Sequence, residues 1–150
     1  MNTMSRSLLL VSVLQLLLFC GCATVPDAMN DTRTIRQLVQ HLHGCGLKVE
    51  KSFPVRYQAI LASDGIVMII EGVRVEFYAY DMHKKYQKAK LEKIRKNNHI
   101  IILGTSVPAI TNGKFIMLTY SNKPNLVKII RAFKSFEMTE STEEKMKSKK

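Results

Sequence analysis

The sequence has no tryptophan, and its three cysteines are Cys20, Cys22 and Cys45. Cys45 is the only one far from the N-terminus, so the chain cannot depend on the disulfides that brace many small exported domains. Acidic residues are also scarce, with 12 of them against 23 lysines and arginines. The resulting net charge of +11 bears on partners and on solubility, since a solvated basic face can simply keep a domain soluble, and it says nothing about the fold.

Recognisable catalytic motifs are missing as well. The sequence contains no nucleophile elbow, no phosphate-binding glycine loop, no dinucleotide fingerprint and no Cys-x-x-Cys pair. His41 and His43 lie on different sides of a helix, and His41 and Cys45 have no third ligand nearby in the sequence. We therefore expect no metal, no cofactor and no enzymatic activity.

The longest apolar run lies at the N-terminus, after a short segment that contains Arg6 and no acid. It extends from Leu8 to Phe19, which is 12 residues, whereas a membrane-spanning helix needs about 20. A run of this length that ends in small residues is typical of a signal peptide. We expect residues 1–21 to be such a leader.

The end of this leader, Leu18-Phe19-Cys20-Gly21-Cys22-Ala23, resembles the lipobox of bacterial lipoproteins, in which a small residue precedes an invariant cysteine. Phe19 stands where those proteins usually carry Leu, and Cys20 where they usually carry Ala or Ser. The resemblance implies cleavage before Cys22, diacylglycerol on its thiol and an acyl chain such as palmitate on the new amino terminus. In Gram-negative lipoproteins the next residue influences sorting, so Ala23 implies an outer-membrane address in such a cell.

Two other outcomes stay open for the leader. Gly21-Cys22-Ala23 also fits ordinary signal peptidase, which would release a free secreted protein, and the apolar run could remain as an uncleaved anchor. All three outcomes place the rest of the chain in the cell envelope or outside the cell. Residues 22–31 are short and polar and are predicted to be a lipidated N-terminus and tether.

Residues 32–136 are predicted to form one domain, which resembles no family of known function. Helical spacing places Ile35, Leu38, Val39 and Leu42 on one side of a first helix, capped by Asp31 or Thr32. The further predicted elements are strands over 47–53, 66–70, 73–80, 99–103, 107–111 and 114–120, and helices from Asp81 to about Asn97 and from Pro124 to Phe136.

This order predicts an α+β fold with a mostly antiparallel sheet of five to six strands and three helices packed mainly on one face. Asn112-Gly113 is the expected hairpin turn, and residues 104–108 are expected to be a loop. Residues 137–150 have charge and little apolar surface, which predicts a disordered tail.

The second predicted helix gives the domain a basic face. Its candidate anionic-surface residues are Lys84, Lys85, Lys88, Arg95 and Lys96, with only Glu92 to offset them. For an exported chain, anionic lipid, an envelope polymer or a protein are the expected partners, and nucleic acid is not. We therefore expect a membrane-anchored envelope lipoprotein that acts as a non-enzymatic binding or structural module.

Two alternatives from other classes remain open. A small exported enzyme could use a scattered site of His41, Cys45 or His83, which would require these side chains to meet in one pocket. A cationic nucleic-acid-binding protein would instead show DNA affinity that falls steeply with salt.

Overall fold

The computed structural model describes residues 31–136. The predicted signal peptide, Cys22, most of the tether and the tail lie outside these residues. Within residues 31–136 there are three α-helices: α1 (Ile35–Gly44), α2 (Lys85–Asn97) and α3 (Leu126–Lys134). The strands are β1 (Val49–Pro54), β2 (Asp64–Ile70), β3 (Val73–Ala79), β4 (His99–Ile102), β5 (Thr105–Asn112) and β6 (Phe115–Thr119), and a short 3-10 helix spans Tyr57–Ile60.

The six strands form one sheet in the order β1-β2-β3-β6-β5-β4, and every neighbouring pair is antiparallel. This confirms the α+β prediction. Helices α1 and α3 cover one face of the sheet, which we term the first face; its core includes Leu38, Phe77 and Phe133. Helix α2 and the 3-10 segment cover the second face, where Leu91 and Leu118 are buried.

Helix α1 begins at a different cap from the one expected. Thr34 is its N-cap and forms a capping box: its side chain accepts a hydrogen bond from the Gln37 N–H, and the Gln37 side chain accepts one from the Thr34 N–H. Asp31 is unavailable as a cap because its carboxylate binds the Arg33 side chain.

The segment expected to be a loop before β5 is part of that strand. Leu103 and Gly104, with φ of 48° and 79°, form a two-residue turn, and β5 begins at Thr105. Pro108 lies opposite His99, in a register in which its nitrogen points away from β4 and towards β6. Because proline has no N–H, pairing between β5 and β6 ends at Ala109.

The other hairpin of β5 turns one residue later than the Asn-Gly pair predicts. Asn112 pairs with Phe115, so Gly113 and Lys114 form the turn, and of these two only Gly113 has a positive φ, at 56°. A glycine followed by a residue of negative φ fits a type II′ turn. The Asn112 amide donates to the Phe133 carbonyl at 2.6 Å and to the Phe136 carbonyl at 2.9 Å.

Candidate functional site

Helix α2 is where the structure places the predicted basic face. The helix begins at Lys85, four residues after Asp81, the expected cap. The Asp81 side chain accepts a hydrogen bond from the His83 N–H in the turn that precedes the helix. Its buried side, Gln87, Leu91 and Ile94, lies on the second face of the sheet. The opposite side faces solvent.

The five residues of the predicted basic face, four lysines and one arginine, do not share one environment. Lys84, Lys85, Lys88 and Lys96 are exposed, and the Lys84 ammonium lies 3.6 Å from the Asp81 carboxylate. Arg95 is half-buried on the flank towards β6: its guanidinium donates to Glu92 at 2.5 Å and to the Gly113 carbonyl at 3.0 Å. Arg95 therefore joins α2 to the β5–β6 turn, whereas the four lysines are at the surface.

The sequence interpretation missed a second basic flank of the same helix. Lys90 and Lys93 line a shallow pocket of about 90 Å³ between α2 and β4. The other lining residues are Ile94, Asn97, His99, Ile100 and Ile101. Cofactor sites are several times larger, so the pocket has the size of a small anion or a single headgroup. Only the spatial approach of β4 to the helix reveals it, since the linear spacing of the lysines does not.

His99 contributes an imidazole to this pocket in a defined orientation. Its Nδ1 lies 2.9 Å from the Asn97 carbonyl. Because a carbonyl oxygen only accepts, Nδ1 carries the proton and donates it, which leaves Nε2 as the other functional nitrogen. The pocket is thus lined by two lysines and a histidine, with no Asp or Glu among its lining residues.

His41 and Cys45 do meet, but not as a base and a nucleophile. The Cys45 thiol lies 3.5 Å from His41 Nε2, and the same nitrogen lies 3.0 Å from the Ala132 carbonyl. Nε2 must donate to that carbonyl, so it has no lone pair there to take the thiol proton. His83 is exposed before α2, and it does not join them.

Tyr78 and Tyr80, two aromatic side chains on the second face, are buried and do not extend the basic surface. Tyr80 lies in the core, and burial raises the pKa of its hydroxyl. Burial also raises the pKa of Tyr78, as does the hydrogen bond that its hydroxyl donates to Glu76 at 2.8 Å. Glu76 also accepts from Arg74 at 2.9 Å, so both carboxylate oxygens are occupied.

Within residues 31–136 no group of three or more His, Cys, Asp or Glu side chains could hold a metal ion. In the same part of the chain, no helix has the length and apolarity needed to cross a bilayer. No family model matches the chain, and neither the curated proteins nor the solved structures compared with it contain a match. Its function can therefore be inferred only from this chain's own residues.

Proposed function

We propose that the protein is a lipid-anchored module of the bacterial envelope that binds an anionic surface through helix α2 and catalyses no reaction. The observation that carries this proposal is the outward side of α2, where Lys85, Lys93 and Lys96 are exposed and Glu92 is the only acid of the helix. A lysine near an anionic bilayer contributes about 1 kcal/mol to binding. Several of them on one rigid helix therefore favour a membrane or envelope polymer as the partner.

The anchor in this proposal is the predicted acylation of Cys22. A single acyl chain binds a membrane only marginally, whereas two or three chains on one residue attach it lastingly. Intact-mass analysis of the protein from the membrane fraction tests this point. We expect a diacylglyceryl increment on a chain that starts at Cys22. An unmodified chain that starts at Thr24 would contradict the anchor.

Charge reversal on α2 tests the surface-binding part. The double variant Lys85→Glu and Lys96→Glu, made in a chain of residues 22–150 with Cys22→Ser, should bind vesicles containing phosphatidylglycerol at least tenfold more weakly, since each lysine contributes about 1 kcal/mol. Binding is measured by co-sedimentation at low and at physiological salt.

The matched control for this experiment is Lys128→Glu with Arg131→Glu, which makes the same charge change on the exposed side of α3. It should retain most of the binding. Equal losses in the two double variants would mean that net charge, and not helix α2, governs association. Unchanged binding in the α2 variant would contradict the proposed function.

A further inference from the structure

The turn between β4 and β5 carries an unusual residue. Leu103 has a φ of 48°, a left-handed conformation that is unfavourable for leucine and favourable for glycine or asparagine. Its side chain is also fully exposed, with a relative exposure of 101%. Neither the left-handed backbone nor the exposed side chain stabilises the folded domain. The need to fold therefore does not explain a leucine at this position.

Other apolar and cationic residues lie near this turn, at the β4 edge of the sheet. Ile101, two residues earlier on β4, is 54% exposed and lines the pocket with Lys90 and Lys93. Tyr86 is also 54% exposed and lies one helical turn before Lys90, on the same flank of α2. We term these five residues, Tyr86, Lys90, Lys93, Ile101 and Leu103, the docking edge.

We infer that the docking edge rests on an anionic phospholipid bilayer, with Leu103 and Ile101 in the interfacial region and Lys90 and Lys93 on lipid phosphates. This inference rests on the proposed function and specifies which surface of the domain meets the membrane. Tyrosine is enriched at membrane interfaces, and long lysine side chains reach headgroups from beside an apolar insertion. The composition of the edge thus matches the polarity gradient of a bilayer surface.

A peptide strand added to β4 fits these observations less well. The backbone N–H and C=O groups of Ile100 and Ile102 point towards β5. Those of His99 and Ile101 therefore point away from the sheet and could pair with another strand. Such a strand would lie along a β4 of four residues, whereas Leu103 lies beyond its end in the turn. A bilayer, whose apolar layer extends beyond the length of this strand, would cover Leu103 as well.

The predicted tether is long enough for this orientation. The nine steps from Cys22 to Asp31 span at most about 30 Å. Asp31 binds at the Gly113–Lys114 turn, and the eight residues of β5 separate this turn from Leu103 by about 25 Å. A chain anchored at Cys22 can therefore lie with the docking edge against the bilayer.

An environment-sensitive fluorophore at residue 103 tests the inference. The lipidated protein carries Leu103→Cys and Cys45→Ser, is labelled with a nitrobenzoxadiazole thiol reagent, and is reconstituted in vesicles of phosphatidylcholine with or without equimolar phosphatidylglycerol. We expect a blue-shifted and several-fold brighter emission only with phosphatidylglycerol. Val127→Cys, another exposed apolar position on α3, is the matched control and should report water in both vesicles.

The substitution Leu103→Asn separates docking from folding. Asparagine tolerates the left-handed conformation, so the melting temperature should stay the same or rise. Loss of an inserted leucine should weaken the binding of the unlipidated chain to phosphatidylglycerol vesicles about tenfold or more. Val127→Asn should not change binding.

A probe at residue 103 that reports water in both vesicles, or full binding by Leu103→Asn, would overturn the inference. A shift produced by soluble poly-glutamate but not by vesicles would also overturn it and would indicate an acidic peptide. The proposed function fails separately, when Cys22 carries no lipid or when the α2 charge reversal leaves binding unchanged. Each result is read from a different measurement.

Discussion

Arg33 is the residue on which the ends of the described chain converge. Its guanidinium binds the Asp31 carboxylate, with Nη2 2.5 Å from Oδ2, and donates to the Phe136 carbonyl. It also lies over the rings of Phe115 and Phe136, at 5.2 and 4.8 Å from their centroids. Since Arg33 and Asp31 are both buried, each compensates the charge of the other.

Substitution of Asp31 should change the stability of the protein in acid. Burial raises the pKa of this carboxyl, but the hydrogen bonds and charge of Arg33 and the Lys114 N–H outweigh burial, so the pKa lies below its ordinary value. As pH falls below about 4, the Asp31 carboxylate takes up a proton in the unfolded chain but not yet in the folded one, so the free energy of unfolding decreases. Asp31→Asn should remove this part of the acid dependence.

The same substitution should lower the free energy of unfolding at neutral pH by about 3 kcal/mol, because it leaves Arg33 buried without its counter-charge. Urea unfolding between neutral pH and about pH 2 measures both effects. Asp64→Asn, at an exposed position, is the control and should have little effect. An acid profile unchanged by Asp31→Asn would contradict this role of the ion pair.

The β5–β6 hairpin shows how an element depends on its neighbours. Gly113 has a φ of 56°, and a Cβ atom there would overlap the Arg33 guanidinium and the Asp31 carboxylate. Gly46, after α1, has a φ of 75° and open space around it. The two glycines therefore separate conformational strain from loss of the ion pair.

We expect Gly46→Ala to cost about 1 kcal/mol of unfolding free energy, from strain alone. Gly113→Ala should cost at least about 2 kcal/mol more, because it also displaces the Asp31–Arg33 pair. Chemical denaturation of the two variants under the same conditions gives this comparison. Equal losses would show that the ion pair does not depend on the close approach at Gly113.

The sequence predicts which helices and strands exist better than it predicts the residues at which they begin and end. The apolar stripe of α1 is as expected. The break between the predicted strands 66–70 and 73–80 is also found, at a turn of Glu71 and Gly72 with φ of 51° and 71°. The β5–β6 turn is displaced by one residue because the Asn112 amide binds carbonyls at the end of α3, a contact that is distant in the sequence. Local turn preference cannot predict a register that a tertiary hydrogen bond selects.

At the scale of the molecule, an apolar stripe shows that a helix is covered but not by which face of a sheet. The apolar stripes of α1 and α3 pack on the first face of the sheet, and the stripe of α2 packs on the second. The path of the chain determines this distribution, and the amino-acid composition does not. The candidate site follows the same pattern. Composition predicts a basic helix, whereas the pocket of Lys90, Lys93 and His99 exists only because β4 returns beside it.

The junction at Arg33 also determines how the molecule would respond to mechanical load. Asp31 and Phe136, the first and last described residues, both bind this one side chain. Tension applied at Asp31 would enter at a corner that holds the end of α3 and the β5–β6 hairpin together, and not at an edge strand of the sheet. A load applied at Phe136 would enter at the same corner.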